Sequence, residues 1–214
     1  MWKEISRAFG EVASAYDAWY EGNPLFLSEL KALNALGPVP KPALEIGVGT
    51  GVFAEALGFT HGIDPSLEML SLARQRGVHV VCGVGERLPF KTGSFEAVGL
   101  FFTFCFLTDP EAVLREASRS LKPAGKLFLG FVPAESPWGH YYQEKKKNGH
   151  RLYRFMRLRK GKEVLRLLEK EGFRIVRGYS TLFQPPAFEP YFEEEPKRGF
   201  SPKAGFWALL AEKG

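Results

Sequence analysis

Ala43-Leu44-Glu45-Ile46-Gly47-Val48-Gly49-Thr50-Gly51 is an apolar strand running into three glycines at alternate positions, and a helix pattern, Val52 to Leu57, follows at once. Glycine is needed where a backbone turns sharply or approaches a ligand with no Cβ in the way. A strand, a glycine turn and a helix together predict a nucleotide-type ligand site at the carboxyl edge of a parallel sheet. Glu45 stands two residues before the first glycine. A carboxylate there repels a pyrophosphate but can hold a cationic group. The dinucleotide fingerprint spaces its glycines G-x-G-x-x-G, whereas this turn reads E-x-G-x-G-x-G.

The 214 residues suit one medium domain, with 45% hydrophobic and 25% charged residues and enough length for a sizeable core. Cys82 and Cys105 both fall in apolar runs. They read as buried thiols of a reducing compartment, with neither a disulfide framework nor metal spacing. Met1-Trp2-Lys3-Glu4 lacks a signal-peptide core, and the run from Ala97 to Leu107 is about half of what spans a bilayer. A cytoplasmic protein with no membrane partner is expected. The net charge of +5 is compatible with an anionic substrate or RNA.

Six further stretches carry the pattern onward. Apolar residues at helical spacing (Ile5, Phe9, Val12, Ala13, Tyr16, Trp19, Tyr20) open the chain and include the aromatic run Val12-Ala13-Ser14-Ala15-Tyr16-Asp17-Ala18-Trp19-Tyr20. Asn23-Pro24 starts a helix that Gly37-Pro38 stops. Phe59 to Ile63 is a second strand ending in Asp64-Pro65-Ser66. Asp64 is placed to grip a ribose diol, since a carboxylate accepts from two hydroxyls, and equally to cap the helix that follows. Val78 to Cys82 leads into Gly83-Val84-Gly85-Glu86-Arg87-Leu88-Pro89-Phe90. A fourth strand is Ser94 to Phe102, and Leu121-Lys122-Pro123-Ala124-Gly125-Lys126-Leu127-Phe128-Leu129 enters a fifth.

In this order and spacing, over about residues 16 to 132, these stretches resemble the class I S-adenosylmethionine (SAM)-dependent methyltransferases. The resemblance is to the methyltransferase type 11 group that includes the quinone-biosynthesis C-methyltransferases. It implies an α/β, doubly wound, mostly parallel seven-stranded sheet with an antiparallel last strand (the Rossmann-like methyltransferase fold) and an N-terminal helical lid. It also implies SAM as cofactor and S-adenosylhomocysteine as product. Glu45, Gly47, Val48, Gly49, Thr50 and Gly51 would then hold the methionyl part, and Asp64 and Pro65 the ribose. Met69, Val84, Gly85 and Glu86 would flank the adenine, Leu100 and Phe101 would lie beside the methionine end, and Tyr16, Trp19 and Tyr20 would close the lid. Val84 stands where the family has an adenine-binding Asp, and Phe106 where it often has a His.

The resemblance divides the chain into a helical cap (1–38), a cofactor-binding core (43–132), an acceptor-side insertion (133–160) and a C-terminal helix with strands (161–214). The insertion is aromatic and basic: Trp138, Tyr141, Tyr142 and Lys145-Lys146-Lys147 precede His150, Arg151 and Arg154. It is expected to border the acceptor. Candidates for a base are Tyr16, His140, Tyr141 and Tyr142, with His150 beside them, while His61 and His79 read as structural. The expected acceptor is a small molecule, for which the basic run suits an anion. The alternatives are tRNA or another RNA, a SAM- or S-adenosylhomocysteine-binding protein without catalysis, and a dinucleotide-dependent oxidoreductase. Residues 184 to 202, Pro-rich and acidic, read as a functional or mobile loop.

Overall fold

A computed structural model describes residues 2–214. Strands β1 (Ala43–Ile46), β2 (His61–Asp64), β3 (His79–Cys82), β4 (Phe95–Phe101) and β5 (Leu121–Phe131) are joined by helices α4 (Val52–Leu57), α5 (Leu67–Gln75) and α6 (Pro110–Ser120). Three helix starts set a capping side chain before proline. Asn23 precedes α3 (Pro24–Asn34), Asp109 precedes α6 and Ser136 precedes α7 (Pro137–Lys147), and each side-chain oxygen accepts from an amide of the first turn.

The sheet runs β3-β2-β1-β4-β5-β8-β6-β7. The first five strands are parallel. β8 (Phe206–Lys213) lies antiparallel between β5 and β6 (Phe173–Thr181). The expected seven strands are therefore present. An eighth, the two-residue β7 (Lys197–Arg198), pairs with the edge of β6 inside the stretch read as loop. Cys82 is exposed, because β3 is an edge strand, and Cys105 is buried in a short 3-10 turn, Phe104–Phe106, that follows β4. The opening helix is broken in two, α1 (Trp2–Gly10) and α2 (Ala13–Ala18). A Cβ on Gly10 would fall 2.5 Å from Glu68 Oε2, so glycine lets the first helix lie against the start of α5.

Both faces of the sheet are covered. Leu44, Ile46, Val98, Leu100, Leu127 and Leu129 pack with α6 and α8 (Gly161–Lys170). Ala43, Ala97, Phe101, Phe128 and Phe206 pack with α3, α4 and α5. Strand order reverses at β1, which pairs with β2 on one side and β4 on the other. A crevice opens at that point beyond the strand ends.

Phe206, wholly buried, stacks on Phe102 at 5.1 Å between ring centroids and fills the space over Gly130. Replacing Phe206 with Ala should cost about 3–5 kcal/mol, read as a lowered urea midpoint with an unchanged slope.

Candidate functional site

The turn after β1 is held from inside the protein. Gly47 N and Val48 N both donate to Ile63 O (2.8 and 3.1 Å), Gly49 N donates to Asp64 Oδ2 (3.1 Å), and Gly51 N donates to Val48 O (2.9 Å). These glycines all have positive φ, which L side chains rarely adopt. A Cβ on Gly47 would meet Thr103 at 2.3 Å, whereas one on Gly49 would meet nothing within 4 Å, because Gly49 faces open space. A phosphate cradle needs free amides, and the amides of Gly47, Val48, Gly49 and Gly51 already have partners.

Two carboxylates stand at this turn. Asp64 Oδ1 accepts from Ser66 N at 2.9 Å while Oδ2 takes Gly49 N. Ser66, not Asp64, is the N-cap of α5, its hydroxyl accepting from Met69 N. Burial pushes the Asp64 carboxyl up to about 6 against these two amides. Glu45 is 1% exposed, and its Oε2 has no hydrogen-bond partner. Burial first, and then the charge of Asp64, raise its pKa well above the usual range, with a hydrogen bond from the Ala54 backbone opposing.

A cavity opens in front of the turn, with an empty volume of about 870 Å³ that includes the open space at its mouth. Of the residues named from sequence, its walls include Tyr16, Gly47, Gly49, Asp64, Pro65, Met69, Val84, Gly85, Glu86 and Phe101. Among the described residues, the charged wall residues are Asp64 and Glu86. These walls suit a ligand carrying positive charge and hydroxyls.

Other residues named from sequence stand behind or away from the walls. Glu45 lies under the turn, Val48 packs over Gly62, and Gly51 faces Ala73. Thr50 is buried with its hydroxyl unpartnered. Leu100 points to the α6 side, because alternate strand residues face opposite ways. Trp19 is 46% exposed, and Tyr20 is buried behind Tyr16, to whose hydroxyl it donates at 2.7 Å. The lid face that borders the cavity is instead on α1: Trp2, Ile5, Ser6 and Phe9, a single stripe by helical spacing. Phe9 meets Tyr16 and Phe106 edge-on at 5.5 and 5.1 Å, so the cap reaches the wall beyond β4. Thr103, Phe106, Leu107 and Thr108 complete that wall. The signal for α1 was the 2-5-6-9 spacing.

No residue of 133–160 is among the walls. His140 is exposed, and Tyr141 and Tyr142 pack on Trp138. His150 stacks on Tyr153, its Nδ1 accepting from Leu152 N and Tyr153 N. Burial raises Tyr16 and Tyr142 well above the ordinary phenol, so both hold their protons at neutral pH. Much of the basic run is engaged within the fold: Lys146 donates to Met156 O, Lys147 pairs with Glu144, and Arg151 pairs with Glu11. The cap is fastened by Arg76, which donates to Asp17 Oδ2, Glu55 Oε2 and Thr50 O, each at 3.0 Å. Among the described residues, no group of three or more His, Cys, Asp and Glu could hold a metal, and no helix is long and apolar enough to cross a membrane.

Residues 44–129 match the model of a methyltransferase domain. A crystal structure from Thermotoga maritima, described as a SAM-dependent methyltransferase and possible histamine N-methyltransferase, is 36% identical and superposes with a TM-score of 0.90, covering 98% of this chain and 100% of that one. An uncharacterized Mycobacterium tuberculosis protein is 44% identical over 210 residues, 96% of this chain and 74% of the relative. A demethylmenaquinone methyltransferase of Corynebacterium kroppenstedtii is 32% identical over 136 residues, 58% of each chain.

Two outcomes follow from this geometry. Because the Asp64 carboxyl is raised in the folded state, the native protein holds more protons than the unfolded chain between about pH 4 and pH 6. Its contribution to stability is therefore full below that window and lost as pH rises through it. Asp64→Asn should flatten that part of a stability-versus-pH curve measured by urea unfolding. Arg76→Ala should speed amide exchange in residues 2–18 while leaving β1, β4 and β5 protected, as hydrogen-exchange mass spectrometry would show.

Proposed function

This chain belongs to the SAM-dependent methyltransferase family, and we propose that it binds SAM in the cavity before the glycine turn and transfers the methyl group to a small-molecule acceptor. The observation that carries this reading is the pairing of a turn in which the amides of Gly47, Val48, Gly49 and Gly51 are engaged with a wall whose described charged residues, Asp64 and Glu86, are both carboxylates. That pairing disfavours a dinucleotide pyrophosphate and fits a ligand with an ammonium, a sulfonium and a ribose. When bound, SAM supplies a methyl group on a sulfonium, an electrophile that needs no further activation.

The protein's part is then to hold, orient and exclude water. Asp64 has lone pairs left after its two amide bonds with which to accept from ribose hydroxyls. Glu45 Oε2, buried without a hydrogen-bond partner behind the turn, is an acceptor for the ammonium. Met69, Ile63 and Leu107 offer apolar surface to a purine, with Glu86 at its polar edge. The α1 stripe covers the cavity and keeps water from the sulfonium, and the aromatic wall of Phe9, Tyr16 and Phe106 lets an acceptor be aligned in line with the methyl group. Tyr16 stays a phenol, able to donate or accept a hydrogen bond, and does not serve as a base. The described relatives support a small acceptor, since histamine and demethylmenaquinone are both small molecules. The engaged lysines and arginines of 144–159 give RNA little support.

Calorimetric titration should show SAM binding and no NADH binding. Gly49→Ala puts a methyl group into the open space before the turn at a folding cost of about 1 kcal/mol for the left-handed backbone. It should weaken SAM binding at least tenfold. Undiminished SAM affinity in this variant would move the cofactor elsewhere, and NADH binding without SAM would return the turn to a phosphate ligand.

A further inference from the structure

Tyr20 is buried in a nest of rings, edge-on to Trp19 at 5.1 Å, Phe26 at 4.8 Å and Phe53 at 5.8 Å. Its hydroxyl meets that of Tyr16 at 2.7 Å. Two paired hydroxyls carry two protons, and only one of these fills the bond between them. A buried donor left unmade costs free energy, whereas a donor that faces a cavity can reach water or a ligand. Tyr20 therefore gives its proton to the Tyr16 oxygen. The proton of Tyr16 is left for a group in the cavity before the glycine turn, whose wall Tyr16 forms. Burial raises both phenols well above their ordinary range, so both protons are in place at neutral pH.

Contacts on either side fix this hydroxyl beside the glycine turn. The Tyr20 ring rests on Phe53, in the first turn of α4, which starts directly after Gly51, and Phe53 packs on Phe101 at the end of β4. Asp17, next to Tyr16 in the chain, is joined through Arg76 to Thr50 O within the turn. The other hydroxyls of the wall are placed differently. Thr103 directs its proton at Gly47 O and Phe101 O, each at 3.2 Å. Thr108 adjoins Leu107, on the side given to the purine. Ser6 carries a hydroxyl that turns about a single bond, while the Tyr16 ring is fenced edge-on by Phe9 at 5.5 Å and Tyr20 at 5.3 Å.

The amino-acid end of SAM carries a carboxylate on the same carbon as its ammonium. Glu45 and Asp64 suit the ammonium and repel the carboxylate, which needs a hydrogen-bond donor from another direction. We propose that Tyr16 is the donor to the cofactor's carboxylate and that Tyr20 is the positioning residue that directs it there. The inference rests on the SAM reading of this site and deepens it. The zwitterion then lies between an acidic floor and a hydroxyl on the cap, and the cap recognises the part of the cofactor farthest from the base. This arrangement selects SAM and S-adenosylhomocysteine over nucleosides that keep the adenine, ribose and sulfur but lack the carboxylate, such as decarboxylated SAM.

The test is calorimetric titration of the full chain with S-adenosylhomocysteine and with its decarboxylated analogue, which keeps the amine, the thioether and the nucleoside. The parent chain should prefer S-adenosylhomocysteine roughly tenfold or more, as a hydrogen bond to a charged group requires. Tyr16→Phe should bring the two ligands to equal affinity while leaving the analogue bound as in the parent, which also shows that the variant is folded. Tyr20→Phe should keep a reduced preference, because the Tyr16 hydroxyl remains but is no longer directed. A general loosening of the cap would weaken both ligands alike and leave their ratio unchanged. A Tyr16→Phe protein that keeps the parent ratio would overturn the proposal, as would a parent chain that binds both ligands equally. The full parent ratio in Tyr20→Phe would overturn the directing role. Binding of neither ligand to the parent chain would overturn the cofactor reading, and the proposal with it.

Discussion

One carboxylate fastens two neighbouring turns to each other. Asp64 ends β2, yet its two oxygens hold Gly49 of the turn after β1 and Ser66 at the head of α5. Ile63 O adds the amides of Gly47 and Val48 to the same junction. The shape of the cavity floor depends on this clasp. It also engages the amides of Gly47, Val48 and Gly49 within the protein. The same desolvation that raises the Asp64 carboxyl makes it a strong acceptor for hydroxyls once it is ionised.

Much of this was legible in the chain. The strand, the alternate glycines and the following helix stand where they were expected. So does the capped proline start at Asn23-Pro24, because caps and turns are local chemistry. The placement of individual side chains was less legible. Both faces of β4 are buried, so its sequence is apolar throughout, and nothing in it separates Leu100, which faces α6, from Phe101, which faces the cavity. In the cap, an apolar stripe reads alike whether it covers a core or a void. The aromatic run at Tyr16 to Tyr20 and the α1 stripe at Trp2 to Phe9 therefore look equally suited to a lid in sequence, and the stripe is what lines the cavity. β7 left no trace, because two lysine- and arginine-bearing residues become a strand only by pairing with Tyr179 and Ser180.

The basic insertion shows how a conspicuous composition can serve structure. Trp138 donates to Gln184 O at 2.8 Å and sits over Gly205, fixing α7 against the loop after β6. Arg157 N donates to Cys105 O, which joins the far end of the insertion to the turn carrying Phe106. Arg151 reaches Glu11 between the two cap helices. The insertion's contacts thus reach the loop after β6, the turn after β4 and the cap without entering the cavity walls. Arg76 reaches the cap as well.

The place of β8 bears on how the chain is made. This strand is the last in sequence, yet it lies inside the sheet between β5 and β6. During vectorial synthesis β6 leaves the ribosome before the strand that joins it to β5 exists. Until then the edge of β5 is unpaired, and the apolar side of α8 has only part of its packing surface. The nascent chain can assemble the β1–β5 half early, but it must hold an exposed edge until β8 inserts. Such non-local pairing is slow and open to misassociation, so chaperone demand should concentrate in the interval between the emergence of β6 and that of β8.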